Sequence, residues 1–201
     1  MSKVHLLGNG SSATMFQDVV RAPGEKLLIC NVPPFPVEKV YATFIVDFKM
    51  MKAIFEGAVN LDEYSWILGR RPQSYMELNP QFLVQHAKRV KAYYTHVPDY
   101  AVLTYMNCGL TAAHYACSKL DCTELDLYGF DSIFDMELSS HTDRYVKADR
   151  TEHTLNMIVP IWREVWKGLF AEFPEVQFTL HHQHDCIKIN IPDNVAIVEA
   201  V

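Results

Sequence analysis

Short apolar runs, all but the last cut off at the C-terminal end by glycine, asparagine or aspartate, constrain this chain more than anything else in it. The first lies in Lys3 to Phe16, KVHLLGNGSSATMF, where Val4 to Leu7 breaks at Gly8-Asn9-Gly10 and is followed by Ser11 and Ser12. Lys26 to Cys30 stops at Asn31 before two prolines, Thr43 to Val46 stops at Asp47, and Tyr64 to Leu68 stops at Gly69-Arg70-Arg71-Pro72. Glu124 to Tyr128 ends at Gly129-Phe130-Asp131, and Val176 to Leu180 runs into His181. Nearly continuous apolar runs of this length suit strands covered on both faces, as in parallel sheets. Ligands of such sheets bind at the C-terminal strand edge. Asn9, Asn31, Asp47 and Arg70 are therefore expected at one rim.

The first run has a more specific geometry. A strand, a glycine turn and a helix N-terminus over residues 12–20 would offer backbone N–H groups and a partial positive charge to an anion. Glycine there permits both the turn and the close approach of a phosphate. A plain strand-to-helix turn satisfies the same pattern, and two glycines do not separate the two. The third glycine of a dinucleotide fingerprint is missing and no GxxxxGK[ST] run occurs, so neither a NAD site nor a P-loop is indicated.

Between the runs, helices are expected near Lys49 to Gly57, Asn79 to Tyr94 and Asn107 to Cys117. The last is rich in small residues (Cys108, Gly109, Ala112, Ala113, Ala116), so it can approach a sheet or ligand closely, and Asn107, Cys108 and Gly109 open it as a second possible ligand contact. Residues 132–152 are polar and aperiodic, and a loop of that length reads as a flexible lid. A helix from His153 to about Phe173 carries Trp162 and Trp166, four apart on one face and read as core packing, with Pro160 early in it. His181-His182-Gln183-His184-Asp185 has metal-ligand residue types without a placed third histidine, and no metal site is assigned to it. The tail from Ile187 to Val201 suits a small hairpin or an edge strand. The fold expected is α/β: one domain with a mostly parallel sheet, helices on both faces and a long lid after Asp131.

Composition narrows the partners. The 201 residues are 49% hydrophobic with a net charge of −6, enough for one ordinary core and too acidic for a dedicated nucleic-acid binder. Five cysteines, odd in number and without CxxC spacing, fit a reducing compartment. No signal peptide or run of roughly 18 apolar residues is present, so a soluble cytoplasmic protein without a membrane span is expected. Aromatic and apolar surface leaves a homo-oligomer open.

LLGNGSS, LLICN and NCGLTAAHYACSKLDCTELDLYGFD, in that order, resemble the successive signatures of bacterial family 42 sialyltransferases and of related Rossmann-like proteins that include 6-hydroxymethylpterin pyrophosphokinases. In that superfamily a G-N-G-P-S turn follows the first strand, Cys-Asn ends the second, and a helix opened by Ser-Gly leads to a strand closed by Gly-[FI]-Asp. Here Ser11 stands in place of the proline and Cys108 in place of the serine. The resemblance covers roughly residues 3–31 and 105–180. It implies a Rossmann-like domain and a CMP-sugar held by Gly8, Asn9, Gly10, Ser11, Ser12 and Asn31, with Asn107, Cys108, Gly109 and Asp131 near the ribose or phosphate. It also implies a lid tyrosine supporting the leaving phosphate, with Tyr145 the nearest candidate. A histidine before the following helix would be the base, matched by His153, with His141 as second choice.

The corresponding reaction is direct displacement: the base takes a proton from an acceptor hydroxyl, on a glycan or other molecule, as that oxygen attacks the anomeric carbon and the nucleotide leaves. Histidine suits that role because its pKa lies near working pH. Two other classes compete. One is a Mg²⁺-dependent pyrophosphokinase, for which Asp47 and Asp131 are the available carboxylate pair. The other is a nucleotide-binding accessory protein that has lost catalysis.

Overall fold

The computed structural model describes residues 2–133, 140–147, 151–183 and 190–199, with residues 152–155 described by their backbone alone. The strands are β1 (Lys3–Leu7), β2 (Lys26–Cys30), β3 (Val40–Ile45), β4 (Trp66–Leu68), β5 (Val90–Tyr93), β6 (Glu124–Tyr128), β7 (Gln177–His182) and β8 (Val195–Glu199). The α-helices are α1 (Phe48–Phe55), α2 (Arg70–Leu78), α3 (Pro80–His86), α4 (Cys108–Lys119) and α5 (Glu152–Glu172). Among the described residues eight strands form one sheet in the order β5-β4-β3-β2-β1-β6-β7-β8, each pair parallel. This is the expected Rossmann-like α/β architecture, with the sheet fully rather than mostly parallel. Among the described residues no helix is long and apolar enough to cross a membrane.

Alternation along each strand builds two cores. Val4, Leu6, Leu28, Phe44, Leu125, Leu127, Phe178 and Leu180 face α4 and α5, where Ala112, Ala113, Ala116, Trp166 and Phe170 are buried. Leu7, Leu27, Ile29, Ile45, Trp66 and Leu68 face α1, α2 and α3 through Met50, Met51, Met76 and Phe82. Burial on both faces explains why the strand sequences read as unbroken apolar runs.

The winding fixes where a ligand can sit. From β1 the chain steps outward through β2, β3 and β4 to the β5 edge, then returns to β6 on the other side of β1. Strands β1 and β6 therefore flank the topological switch point. Ligands of such sheets bind beside that point, at the C-terminal strand edge where the loops Gly8-Asn9-Gly10 and Gly129-Phe130-Asp131 lie.

Several elements differ from the sequence expectation. Residues 12–20 form no α-helix; Ser11–Phe16 is a six-residue 3-10 helix. Its three-residue period turns Ala13 and Phe16 toward the same core. The run over 64–68 pairs only from Trp66. Gly69-Arg70-Arg71-Pro72 does not stay a loop but opens α2, where a proline in the first turn is tolerated. The expected helix over 79–94 divides into α3, a 3-10 turn at Ala87–Arg89 and the edge strand β5. The two-residue alternation of Val90-Lys91-Ala92-Tyr93 wins, because β4 offers it a ladder that an isolated helix end lacks. In the tail, β8 is an edge strand parallel to β7 rather than half of a hairpin.

Candidate functional site

A cavity of about 560 Å³ opens over the C-terminal ends of β1, β2, β3 and β6. Its wall includes Gly8, Asn9, Gly10, Asn31, Asn107, Cys108, Gly109 and Asp131, eight of the residues singled out from sequence. Asp47 also lies there, with Arg71 in the place expected for Arg70. Trp162 lines the cavity too, whereas Trp166 alone of the helical pair is fully in the core.

The glycine turn is not an empty phosphate cradle. Asp131 accepts hydrogen bonds from Ser11 Oγ at 3.1 Å, from Ser12 N at 3.3 Å and from Ser12 Oγ. His182 Nδ1 stands 3.6 Å from its other side. The amides of Gly8 and Gly10 donate to the carbonyls of Tyr128 and Gly129, and Ser12 Oγ accepts from Gly129 N. A protein carboxylate thus holds the place that a phosphate would need, and Ser11 and Ser12 serve Asp131 rather than the cavity wall. The glycine at position 10 is explained by this closure: a Cβ there would overlap the Asp131 carboxylate. A similar approach occurs at Gly109, where a Cβ would run into the Phe130 ring.

The neighbouring wall is made of amides and a thiol. Asn31 has φ 55, a left-handed conformation that asparagine accepts more readily than most residues. Its backbone is held by Phe44 O and Thr43 Oγ1. Asn9 Nδ2 donates to the Cys30 carbonyl, while Asn9 Oδ1 is enclosed without a hydrogen-bond partner. Asn107 caps α4, its Oδ1 accepting from Leu110 N at 2.9 Å. The Cys108 thiol donates to Phe44 O at 2.9 Å and points away from solvent, and burial pushes its pKa well up, with Cys30 beside it adding to the rise. It is a neutral wall group, not a nucleophile.

Within the residues 132–152 read as a lid, the described segment Ser140–Lys147 lies over the cavity. The 3-10 turn His141–Arg144 is tied down by His141 N donating to Asn9 O at 2.9 Å, and Lys49 Nζ donates to Lys147 O at 3.2 Å. Ser140, Thr142, Asp143, Val146 and Lys147 line the cavity. His141 and Tyr145 do not. Their rings pack on each other at 5.6 Å, away from the wall, so neither expected role as base or phosphate support is met by this arrangement. Burial lowers the His141 pKa, helped by Arg144. His153 lies in the first turn of α5, at the C-terminal edge of the sheet because α5 links parallel β6 to β7. Its side chain is outside the described residues.

At the charged end of the cavity the sequence placed Asp47 and one arginine of the Arg70-Arg71 pair, but not the lysines beside them. Asp47 lies 3.7 Å from Arg71 Nη1, with Lys49 and Lys147 on the same part of the wall. Burial raises the Asp47 pKa, against the opposing pull of Arg71 and Lys49. Half of the Asp47 side chain still meets solvent at the cavity mouth, so the raised value reflects a crowded rim rather than a sealed interior. Of the His181–Asp185 cluster, His181 and His182 sit in β7 and residues 184–189 are outside the described residues. His181 stacks on Tyr128 and faces Asp126 across the sheet rather than the cavity. Compared with family models, curated proteins and solved structures, the chain matches none.

Proposed function

We propose that the chain binds a cytidine nucleotide in the switch-point cavity and transfers a sugar from a CMP-activated donor of the sialic-acid type to a hydroxyl acceptor. The observation that carries the reading is the convergence, at the switch point of a fully parallel sheet, of Asn9, Asn31 and the N-terminus of α4 on one cavity of about 560 Å³. That volume suits a nucleotide-sized ligand. Carboxamides supply both donors and acceptors for a base edge, and the enclosed polar atoms of Asn9 and Thr142 lack partners that a ligand or closure of the lid would provide. His153 is the proposed base: it takes the proton of the acceptor hydroxyl as that oxygen displaces the nucleotide phosphate.

The Mg²⁺-dependent pyrophosphokinase reading needs Asp47 and Asp131 as paired ligands. It is less well supported, because both Asp131 oxygens already accept from Ser11 and Ser12. Calorimetric titration with CMP, CDP, UDP, ATP and GTP, with and without Mg²⁺, tests the proposal. CMP and CDP binding independent of Mg²⁺ is the expected result; ATP preference with a Mg²⁺ requirement would replace it with the kinase reading. For the chemistry, His153→Ala is expected to abolish transfer while leaving CMP affinity within about twofold, since a base acts on the acceptor. Transfer unchanged in that variant would move the base to another residue, and CMP binding without any transfer by the wild type would leave a binding protein without this catalytic step.

A further inference from the structure

We propose that the β3–β4 end of the cavity is an anion subsite, formed by Arg71, Lys49 and Lys147, and that Asp47 is its resident counter-ion, displaced when ligand binds. The inference rests on the nucleotide reading for what the rest of the cavity holds, and it assigns the ligand's charged group to the end opposite the glycine turn.

Charge distribution carries it. Three cations and one carboxylate line the wall over β3 and β4, whereas Asp131, just after β6, lines the opposite part. Four inter-strand steps separate β4 from β6, about 19 Å at the usual strand spacing. A phosphate placed at the glycine turn would meet the Asp131 carboxylate, already bonded to the serines. At the other end it would meet a guanidinium whose planar fork suits phosphate or carboxylate oxygens. Opposed charges across a concave wall focus the field, so an anionic ligand is steered to one end.

Asp47 supplies the second, independent observation. It occupies the N-cap position of α1, where aspartate normally accepts from the first-turn amides, yet its side chain makes no capping bond. The carboxylate is instead beside Arg71, from the following helix. The α1 amides are left uncapped by Asp47 on the wall that carries the cations. Loss of a cap is unfavourable to α1, and the arrangement is explained if the carboxylate holds Arg71 in position until a ligand anion takes over. Lys49 is fixed differently, by its bond to the Lys147 carbonyl, which joins the lid to this same end.

Calorimetry with three probes tests the subsite: pyrophosphate as the phosphate source, free N-acetylneuraminate as the carboxylate source, and cytidine as the uncharged half of the nucleotide. Arg71→Gln combined with Lys49→Gln is expected to weaken whichever anion binds by at least tenfold and to leave cytidine affinity unchanged. Asp47→Asn is expected to strengthen the same anion severalfold, an effect of opposite sign that a purely structural cap would not give. Circular dichroism and the thermal midpoint check that each variant is folded. Anion affinity unaltered by the double variant, or lowered by Asp47→Asn, overturns the subsite. Anion binding that depends on Arg71 in a protein that binds neither cytidine nor CMP would retain the subsite and overturn the nucleotide reading instead.

Discussion

At the β1–β6 end of the cavity, amides, hydroxyls and a carboxylate satisfy one another, while at the β3–β4 end three cations share a single carboxylate. The first end is a closed clasp. It joins the loops after β1 and β6 across 119 residues of sequence, so its polar groups hold the switch point together and have little left for a ligand. The second end is open, with half-exposed charges whose partners are exchangeable. A polar motif at a strand end can therefore be structural or functional, and the count of donors already engaged decides which.

The largest effect is expected from breaking the clasp. Asp131→Ala removes the acceptor of Ser12 N and Ser12 Oγ and leaves these buried donors open, a loss of roughly 3 kcal/mol in chemical denaturation. Gly10→Ala comes next, at about 2–3 kcal/mol, because the added Cβ collides with the Asp131 carboxylate and stands 2.9 Å from the Gly129 carbonyl oxygen, where the backbone cannot yield. If either variant unfolds with wild-type stability but loses CMP binding, the turn is a ligand site after all and the contrast between the two ends collapses.

The sequence made the strand ends, and with them most of the cavity wall, easy to find. Apolar runs closed by Asn31, Asp47 or Gly129-Phe130-Asp131 announce a parallel sheet, and a parallel sheet brings those closures to one edge. Two things stayed hidden for physical reasons. Asp131 reads as one more polar rim residue until the fold brings it against Ser12, since no local pattern encodes a contact at that separation. Which arginine of the Arg70-Arg71 pair enters the cavity stayed hidden, because Arg70-Arg71-Pro72 reads as a loop closing a strand, whereas it forms the first turn of α2 and directs the second arginine into the cavity. The β5 misreading has the same origin: Val90-Lys91-Ala92-Tyr93 takes its strand state from β4.

A smaller effect sharpens the open end. Burial raises the Asp47 pKa, and the charged carboxylate competes with any anion for Arg71. Anion binding therefore favours the protonated carboxyl. Pyrophosphate affinity is expected to rise severalfold as the pH falls through that raised value, with a proton taken up on binding in calorimetry in buffers of different ionisation enthalpy. Asp47→Asn should abolish that proton uptake. An affinity that falls with pH in the wild type would mean that the titrating group is elsewhere.

The smallest effect is expected at His141, and it tests whether the outer face of the lid belongs to the open end. The ring packs on Tyr145, off the cavity wall, while its backbone amide alone ties the turn to Asn9. Burial, with Arg144, holds the imidazole below its ordinary pKa, which disfavours a positive charge on it. His141→Ala keeps the amide and removes only a half-buried ring, so its expected stability cost is about 0.5–1 kcal/mol. On the function proposed above, CMP affinity should stay within about twofold of wild type, and the proposed transfer should keep its pH profile. A lost alkaline or acid limb in that profile would identify His141 as the proton acceptor in place of His153. The turn would then have to roll inward over the cavity during the reaction, carrying Thr142 and Asp143 with it.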